Sequence, residues 1–140
     1  MSIRIRTGSW EELREQAQAI RYQVFVIEQK VPVELEWDEM DAQCLHALAC
    51  NEQGQALGTG RLLPDGHIGR MAVLADARGH GVGSRLLQEL MAAARTRGDA
   101  EVVLSAQLHA EPFYARHGFA REGGEYMDAG IPHVSMRRRL

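Results

Sequence analysis

Between an apolar run, His67 to Leu74, and an amphipathic one, Ser84 to Arg97, the chain sets glycine at every second position: Gly79, Gly81 and Gly83. The pattern predicts a strand, a bend and a helix. Leu86, Leu87, Leu90, Met91 and Ala94 recur at helical spacing behind the bend, and Gly98 stops the helix. Glycine permits positive φ and lets a ligand come close to the backbone. Successive amides of such a bend, with the free N–H groups of the helix start, form a concavity for an anion. Arg78 adds a full charge and a fork of donors suited to phosphate oxygens. A helix dipole contributes only about 0.3–1 kcal/mol, so directed N–H bonds and Arg78 must carry the attraction. The chemistry that fits is a pyrophosphate. A Walker loop needs Gly-Lys-Ser/Thr, and no lysine is present there. The dinucleotide pattern Gly-x-Gly-x-x-Gly fails too, at Ser84 counted from Gly79 and at Leu86 counted from Gly81. On the glycines alone, a tight strand-to-helix turn without a ligand stays open.

The rest of the chain supplies elements on both sides. Ile3 to Arg6 alternates like an opening strand, and Ser9 with Glu12 forms a capping-box pattern. Leu13, Ala17, Ile20 and Val24 then keep helical spacing, predicting a helix towards Gln29 that stops before Pro32. Residues 34–43 are acidic and irregular, a loop with room for a short helix. Strands are expected over Cys44 to Cys50, Ala56 to Leu63, His67 to Leu74 and Glu101 to Ser105, with turns at residues 51–55 and 64–66. A short helix over Glu111 to His117 precedes two terminal strands, near Phe119 to Glu122 and His133 to Arg139. The order β-α-β-β-β-α-β-α-β-β, without repeats or a linker, predicts one domain over residues 1–140, α+β or mixed α/β, built around a single sheet.

Composition bounds the function. The 140 residues carry a net charge of -3, which argues against broad attraction to nucleic acid or an anionic membrane. No apolar run reaches membrane-spanning length and the amino terminus lacks a signal-peptide core, so a cytoplasmic protein is expected. Cys44 and Cys50 read as reduced thiols. Six histidines, at positions 46, 67, 80, 109, 117 and 133, show no metal-ligand spacing, and no metal is predicted. His80 reads as a solvent-facing residue or a phosphate neighbour. The Arg137–Arg139 run reads as a solvated strand end.

Arg78-x-x-Gly81-x-Gly83, placed between a strand and a helix, resembles motif A of the GNAT (GCN5-related N-acetyltransferase) superfamily, Gln/Arg-x-x-Gly-x-Gly/Ala. The segment Gln107 to Phe119, with Ala110, Phe113, Tyr114 and Gly118, resembles the family's second signature, Asn-x-x-Ala-x-x-Phe-Tyr-x-x-x-Gly-Phe. Gln107 stands where many relatives have Asn. Tyr22 to Gln29, with Gly130-Ile131-Pro132-His133, is similar to the ElaA-like branch. The resemblance covers essentially the whole chain. It implies a mostly antiparallel central sheet flanked by helices, and direct acetyl transfer from acetyl-CoA to the primary amine of a small molecule or peptide. A homodimer through the terminal strands is open.

The resemblance also assigns roles. Met71, Ala72 and Val73 would pair with pantetheine, one of their amides pointing at the thioester oxygen. Arg78, Gly79, His80, Gly81, Val82, Gly83 and Ser84 would surround the pyrophosphate, with Gln107 near the thioester. Tyr114 matches the tyrosine that protonates the departing thiolate; a core tyrosine between Phe113 and Phe119 is the plainer reading. The base is not identified. Glu28 and His133 are the leading candidates, while Asp41 and His46 read equally as structural. Glu34, Glu36, Asp38, Glu39 and Asp41 read as a solvated acidic loop or as an attractor for a cationic amine. A non-catalytic acyl-CoA sensor is the main rival function.

Overall fold

The capping box at Ser9 forms in full. The Ser9 amide donates to Glu12 Oε1 at 2.9 Å, and the Glu12 amide donates to Ser9 Oγ at 3.2 Å. In the computed structural model, which describes residues 2–140, this cap joins strand β1 (Arg4–Gly8) to helix α1 (Trp10–Arg21). The helix does not continue with α-helical spacing to Gln29. From Tyr22 to Glu28 it widens into π-helical turns, a distortion found disproportionately at functional sites. The wider turns bring Val24, Phe25, Glu28 and Gln29 to the wall of one cavity.

Six further strands follow: β2 (Leu45–Cys50), β3 (Ala56–Leu62), β4 (His67–Val73), β5 (Glu101–Gln107), β6 (Ala120–Asp128) and β7 (Ile131–Arg139). With β1 they form one sheet in the order β1-β2-β3-β4-β5-β7-β6. All neighbours are antiparallel except β4 and β5. Helices α2 (Val33–Glu36), α3 (Val82–Thr96) and α4 (Glu111–Arg116) complete the α+β fold. The amphipathic α3 buries Leu86, Leu87, Leu90 and Met91 against one face, with Leu62, Val102 and Met136. On the other face α1 packs Leu13 and Ile20 on Leu48 and Ala72. Strand β6 is longer than its apolar residues suggest, because it carries on past an irregularity between Glu122 and Tyr126. Among the described residues no helix is long and apolar enough to cross a membrane.

Two irregularities in β4 open the sheet. Opposite Thr59 and Arg61 of β3 stand Ala72 and Gly69, so β4 holds one extra residue there, a bulge at which Arg70 takes φ +49°. Strict alternation would send Ile68 and Ala72 to the same face. The bulge instead puts Ile68 in the α3 core and Ala72 in the α1 core. Beside it, the parallel pairing with β5 lasts for only two pairs, His67 with Val103 and Ile68 with Leu104. Beyond them the strands diverge, and the edge of β4 from Gly69 to Val73 has no strand partner on that side.

The acidic segment corrects the solvated-loop expectation. Glu34 and Glu39 are exposed, but Glu36 and Asp41 are buried, at 7% and 3% exposure. Arg21 at the end of α1 takes both: Nε donates to Glu36 Oε1 at 2.5 Å, and the two terminal nitrogens donate to Asp41 at 2.9 and 3.0 Å. Arg61 of β3 donates to Asp41 at 2.8 Å and Asp38 at 2.6 Å. His46 donates from Nε2 to the Asp41 carbonyl at 2.9 Å, its Nδ1 is buried without a partner, and burial above all lowers its pKa. A neutral His46 under Trp10 is a packing residue, as the sequence allowed. The segment is an ion-paired wedge because buried carboxylates require partners.

Candidate active site

The gap between β4 and β5 opens into a cavity of about 1030 Å³. Small-molecule sites run to about 1,000 Å³, so there is room for a long ligand and a second small reactant. Its walls come from the π-helical turns, the free edge of β4, the ends of β5 and α4, and the β6–β7 hairpin. Val73 marks the open edge: its carbonyl accepts from Arg78 Nε at 3.0 Å rather than from a strand. In extended backbone a residue's N–H lies on the same side as its carbonyl, so the Val73 amide also faces the gap, and Met71, two residues back, follows the same alternation.

Arg78, which opens the glycine bend, lies in the cavity wall. Gly79 and Gly81 have φ +82° and +78°, and a Cβ on either would meet nothing within 4 Å. These glycines therefore answer to backbone conformation and leave free space above the bend. Gly81 is the N-cap of α3 and no side chain caps that helix. No backbone carbonyl is recorded as accepting from the amides of residues 79–84, the next such bond being Arg85 N–H to the Gly81 carbonyl at 3.1 Å. Orphan donors in that number suit an anion. The helix starts at Val82 rather than Ser84. His80 turns away, donating from Nδ1 to the Arg78 carbonyl at 3.1 Å, and Ser84 Oγ shares a hydrogen bond of 2.9 Å with His117 Nε2.

The bend makes a prediction of opposite signs. Gly81→Ala is expected to cost about 1–2 kcal/mol of stability, the penalty of a left-handed backbone with a Cβ. Gly83 is helical and its Cβ would stand 3.4 Å from Phe113, an ordinary contact. Gly83→Ala should therefore hold or raise stability. Urea midpoints of the two variants check this, and equal losses would refute the division of labour.

Arg78 bridges the bend and the gap. Besides Val73 it grips Glu28 with two bonds of 2.7 Å each. Those hydrogen bonds hold the Glu28 carboxyl below the usual carboxylate range. A carboxylate paired in this way is a weak proton acceptor, which weighs against Glu28 as the base. His133 is better placed. It sits opposite Gln107 in the β5–β7 register, is largely buried and lines the cavity. Its Nδ1 lies 2.7 Å from the Ile131 carbonyl. A carbonyl can only accept, so Nδ1 donates to it, which leaves Nε2 as the ring nitrogen that can act as an acceptor. Tyr126 stacks on the same ring at 6.0 Å between centroids and shares a short hydrogen bond with Ser105.

Tyr114 faces the cavity from α4 at 9% exposure. Its ring packs edge-on against Phe113 and Phe119, and burial pushes its pKa up to about 12. The two readings of this tyrosine are compatible: the ring is core and the hydroxyl has no hydrogen-bond partner among the described residues. Gln107 donates to Gln29 Oε1 at 2.8 Å, joining β5 to the π-helical segment across the cavity. Gln29, Arg70 and Tyr126 are site residues the sequence reading did not single out. A charged Arg70 inside an apolar strand was the available signal, since such a residue needs buried partners. Among the described residues no group of three or more His, Cys, Asp and Glu side chains could hold a metal ion.

Residues 10–140 match the family model described as Acetyltransferase (GNAT) domain. The chain belongs to the GNAT acetyltransferase family. It is 37% identical over 132 residues to a protein named uncharacterized N-acetyltransferase YjcF of Bacillus subtilis, covering 91% of this chain and 94% of that protein. An acyl-CoA N-acyltransferase from Pseudomonas aeruginosa superposes with a TM-score of 0.86 at 33% identity, over 98% of this chain and 99% of its own. Escherichia coli ElaA superposes with a TM-score of 0.87 at 27% identity, over 98% and 99% of the two chains. The GNAT fold and the N-acetyltransferase family read from the two motifs are thus borne out. In this GNAT domain Arg78 of motif A, the free edge of β4, Tyr114 and His133 meet at one cavity.

Proposed function

We propose that the protein transfers the acetyl group of acetyl-CoA directly to the primary amine of a small molecule or peptide. The observation that carries this reading is the cavity lined by a free strand edge, the Tyr114 phenol and the His133 imidazole, with Arg78 of the glycine bend in its wall. The amides of residues 79–84 and Arg78 would hold the pyrophosphate, with Glu28 keeping Arg78 in place. Pantetheine would lie along Met71, Ala72 and Val73 as an added strand. The amine attacks the thioester carbon and gives its proton to His133 Nε2, directly or through water. A β4 amide donates to the developing oxyanion, a contribution of about 3–4 kcal/mol where such a donor is preorganised. The C–S bond then breaks and Tyr114 donates a hydrogen bond to the leaving thiolate. Buried free thiols at Cys44 and Cys50 support a cytoplasmic setting, and the outer edge of β6 is where a second copy would pair.

The test is thiol release from acetyl-CoA against polyamines, amino acids, aminoglycosides and lysine peptides. With a competent amine, His133→Gln should lower kcat/KM by about 10²-fold or more. Tight acetyl-CoA binding without turnover of any amine would favour the sensor.

A further inference from the structure

Three arginines line the cavity, and two of them are hydrogen-bonded to carboxylates, although Arg61 leaves its buried Nε without a partner among the described residues. Arg78 holds Glu28 in a fork, and Arg61 is locked to Asp41 and Asp38 at 2.8 and 2.6 Å. Arg70 is not. Its Nε lacks a partner, and its one hydrogen bond runs from Nη2 to the Glu36 carbonyl at 3.3 Å. The nearest carboxylate oxygens, of Glu36 and Asp38, stand 3.6 and 3.7 Å away, beyond hydrogen-bond length. Both carboxylates are already bound more closely, by Arg21 at 2.5 Å and Arg61 at 2.6 Å. The left-handed backbone at the bulge sets this side chain into the wall, a strained conformation for a residue with a Cβ.

We propose that Arg70 recognises a carboxylate on the acceptor, so that the amine acetylated here carries its own carboxylate, as an amino acid does. This rests on the transferase reading above. A planar guanidinium with spare donors matches a carboxylate in two bonds. On the far half of the sheet Asp128 also lines the cavity, with no hydrogen-bond or ion-pair partner among the described residues. Arg70, with donors not hydrogen-bonded to any carboxylate, on one wall and the solvent-exposed Asp128 carboxylate on the other fit a zwitterion. A polyamine would set a second positive charge against Arg70. Burial, and then the charges of Arg61 and Arg21, already disfavour the Arg70 cation, and an incoming anion relieves this. The phosphates of the donor have their own donors eight residues away at the bend, so they do not explain Arg70.

The experiment compares amino acids with their α-carboxamides as acceptors, in the wild type, Arg70→Gln and Arg70→Lys. The wild type should prefer the acid by about 10- to 100-fold in kcat/KM. In Arg70→Gln that ratio should fall to near one, and Arg70→Lys should recover part of it. Thermal melting and acetyl-CoA affinity report whether each variant is folded. A second measurement needs no turnover: with CoA present, an N-acetyl amino acid should raise the melting temperature of the wild type more than its amide does, and equally little in Arg70→Gln. If no amine is acetylated while this binding preference holds, the transferase reading falls and the carboxylate site stands. Equal handling of acid and amide by the wild type, or an unchanged ratio in Arg70→Gln, overturns the proposal. So does an Arg70-dependent preference for succinyl-CoA over acetyl-CoA, which would assign Arg70 to the acyl group instead.

Discussion

Tyr114→Phe is expected to lower kcat by about 10²-fold or more, with acetyl-CoA affinity within about twofold of wild type and no loss of thermal stability. The three parts follow from one arrangement. The ring is held by Phe113 at 5.0 Å and Phe119 at 5.9 Å between centroids, and phenylalanine keeps both contacts. The hydroxyl has no hydrogen-bond partner among the described residues, so its loss strands no buried donor or acceptor. What disappears is a donor facing the cavity. With its pKa pushed up to about 12, the phenol is protonated throughout any practical assay. No limb of a pH profile between about 5 and 9 should therefore belong to it. The same value refines its role. A thiol has a reference pKa of about 8.5, so complete proton transfer from Tyr114 would run about 3.5 units uphill, or roughly 5 kcal/mol. Tyr114 is better suited to donating a hydrogen bond to the sulfur as charge develops. Thioesters of more acidic thiols should consequently lose less rate in the variant. An unchanged kcat with natural acetyl-CoA would return Tyr114 to the core.

What the residues disclosed depended on how local the physics was. The capping box at Ser9, the orphan amides behind Gly81 and the apolar stripe of α3 are set within a few residues of chain, and each appears as its pattern predicts. The glycine bend was legible for the same reason. The π-helical turns after Arg21 were not, because helical periodicity in Ile20 and Val24 continues across them. The divergence of β4 from β5 was hidden too. It follows from a bulge at Arg70 and a pairing between strands separated by a whole helix, and no local spacing encodes either. The acidic run misled most directly. Glu36 and Asp41 look solvated in a stretch rich in carboxylates, and only the arginines of α1 and β3 reveal them as buried. Those partners lie 15 to 20 residues away. The cavity wall around Arg70 is built from such long-range pairs, and no local spacing in the sequence points to it.

Arg21→Met should be the most damaging single change to stability, costing about 3–5 kcal/mol. Arg21 is 1% exposed and supplies both the shortest bond to Glu36 and the fork on Asp41. Methionine fills much of the volume yet leaves two carboxylates buried with less than their charge in compensation. It also removes the guanidinium lying 5.2 Å from the Trp10 ring centre. The pH dependence separates this cause from a packing defect. Burial pushes the Asp41 carboxyl up, but hydrogen bonds and charge from Arg21, then Arg61, outweigh it and leave the pKa below the ordinary value. A depressed carboxyl contributes stability above its unfolded pKa of about 3.9 and loses it as pH falls through the folded value. Without Arg21 the burial effect gains ground and Asp41 protonates at higher pH. The gap between wild type and variant should thus be widest near neutral pH and narrow below about pH 4. A loss that stays constant from pH 7 to pH 4 would point to lost packing instead. Because Glu36 and Asp38 also stand against Arg70, the same variant should loosen that wall of the cavity.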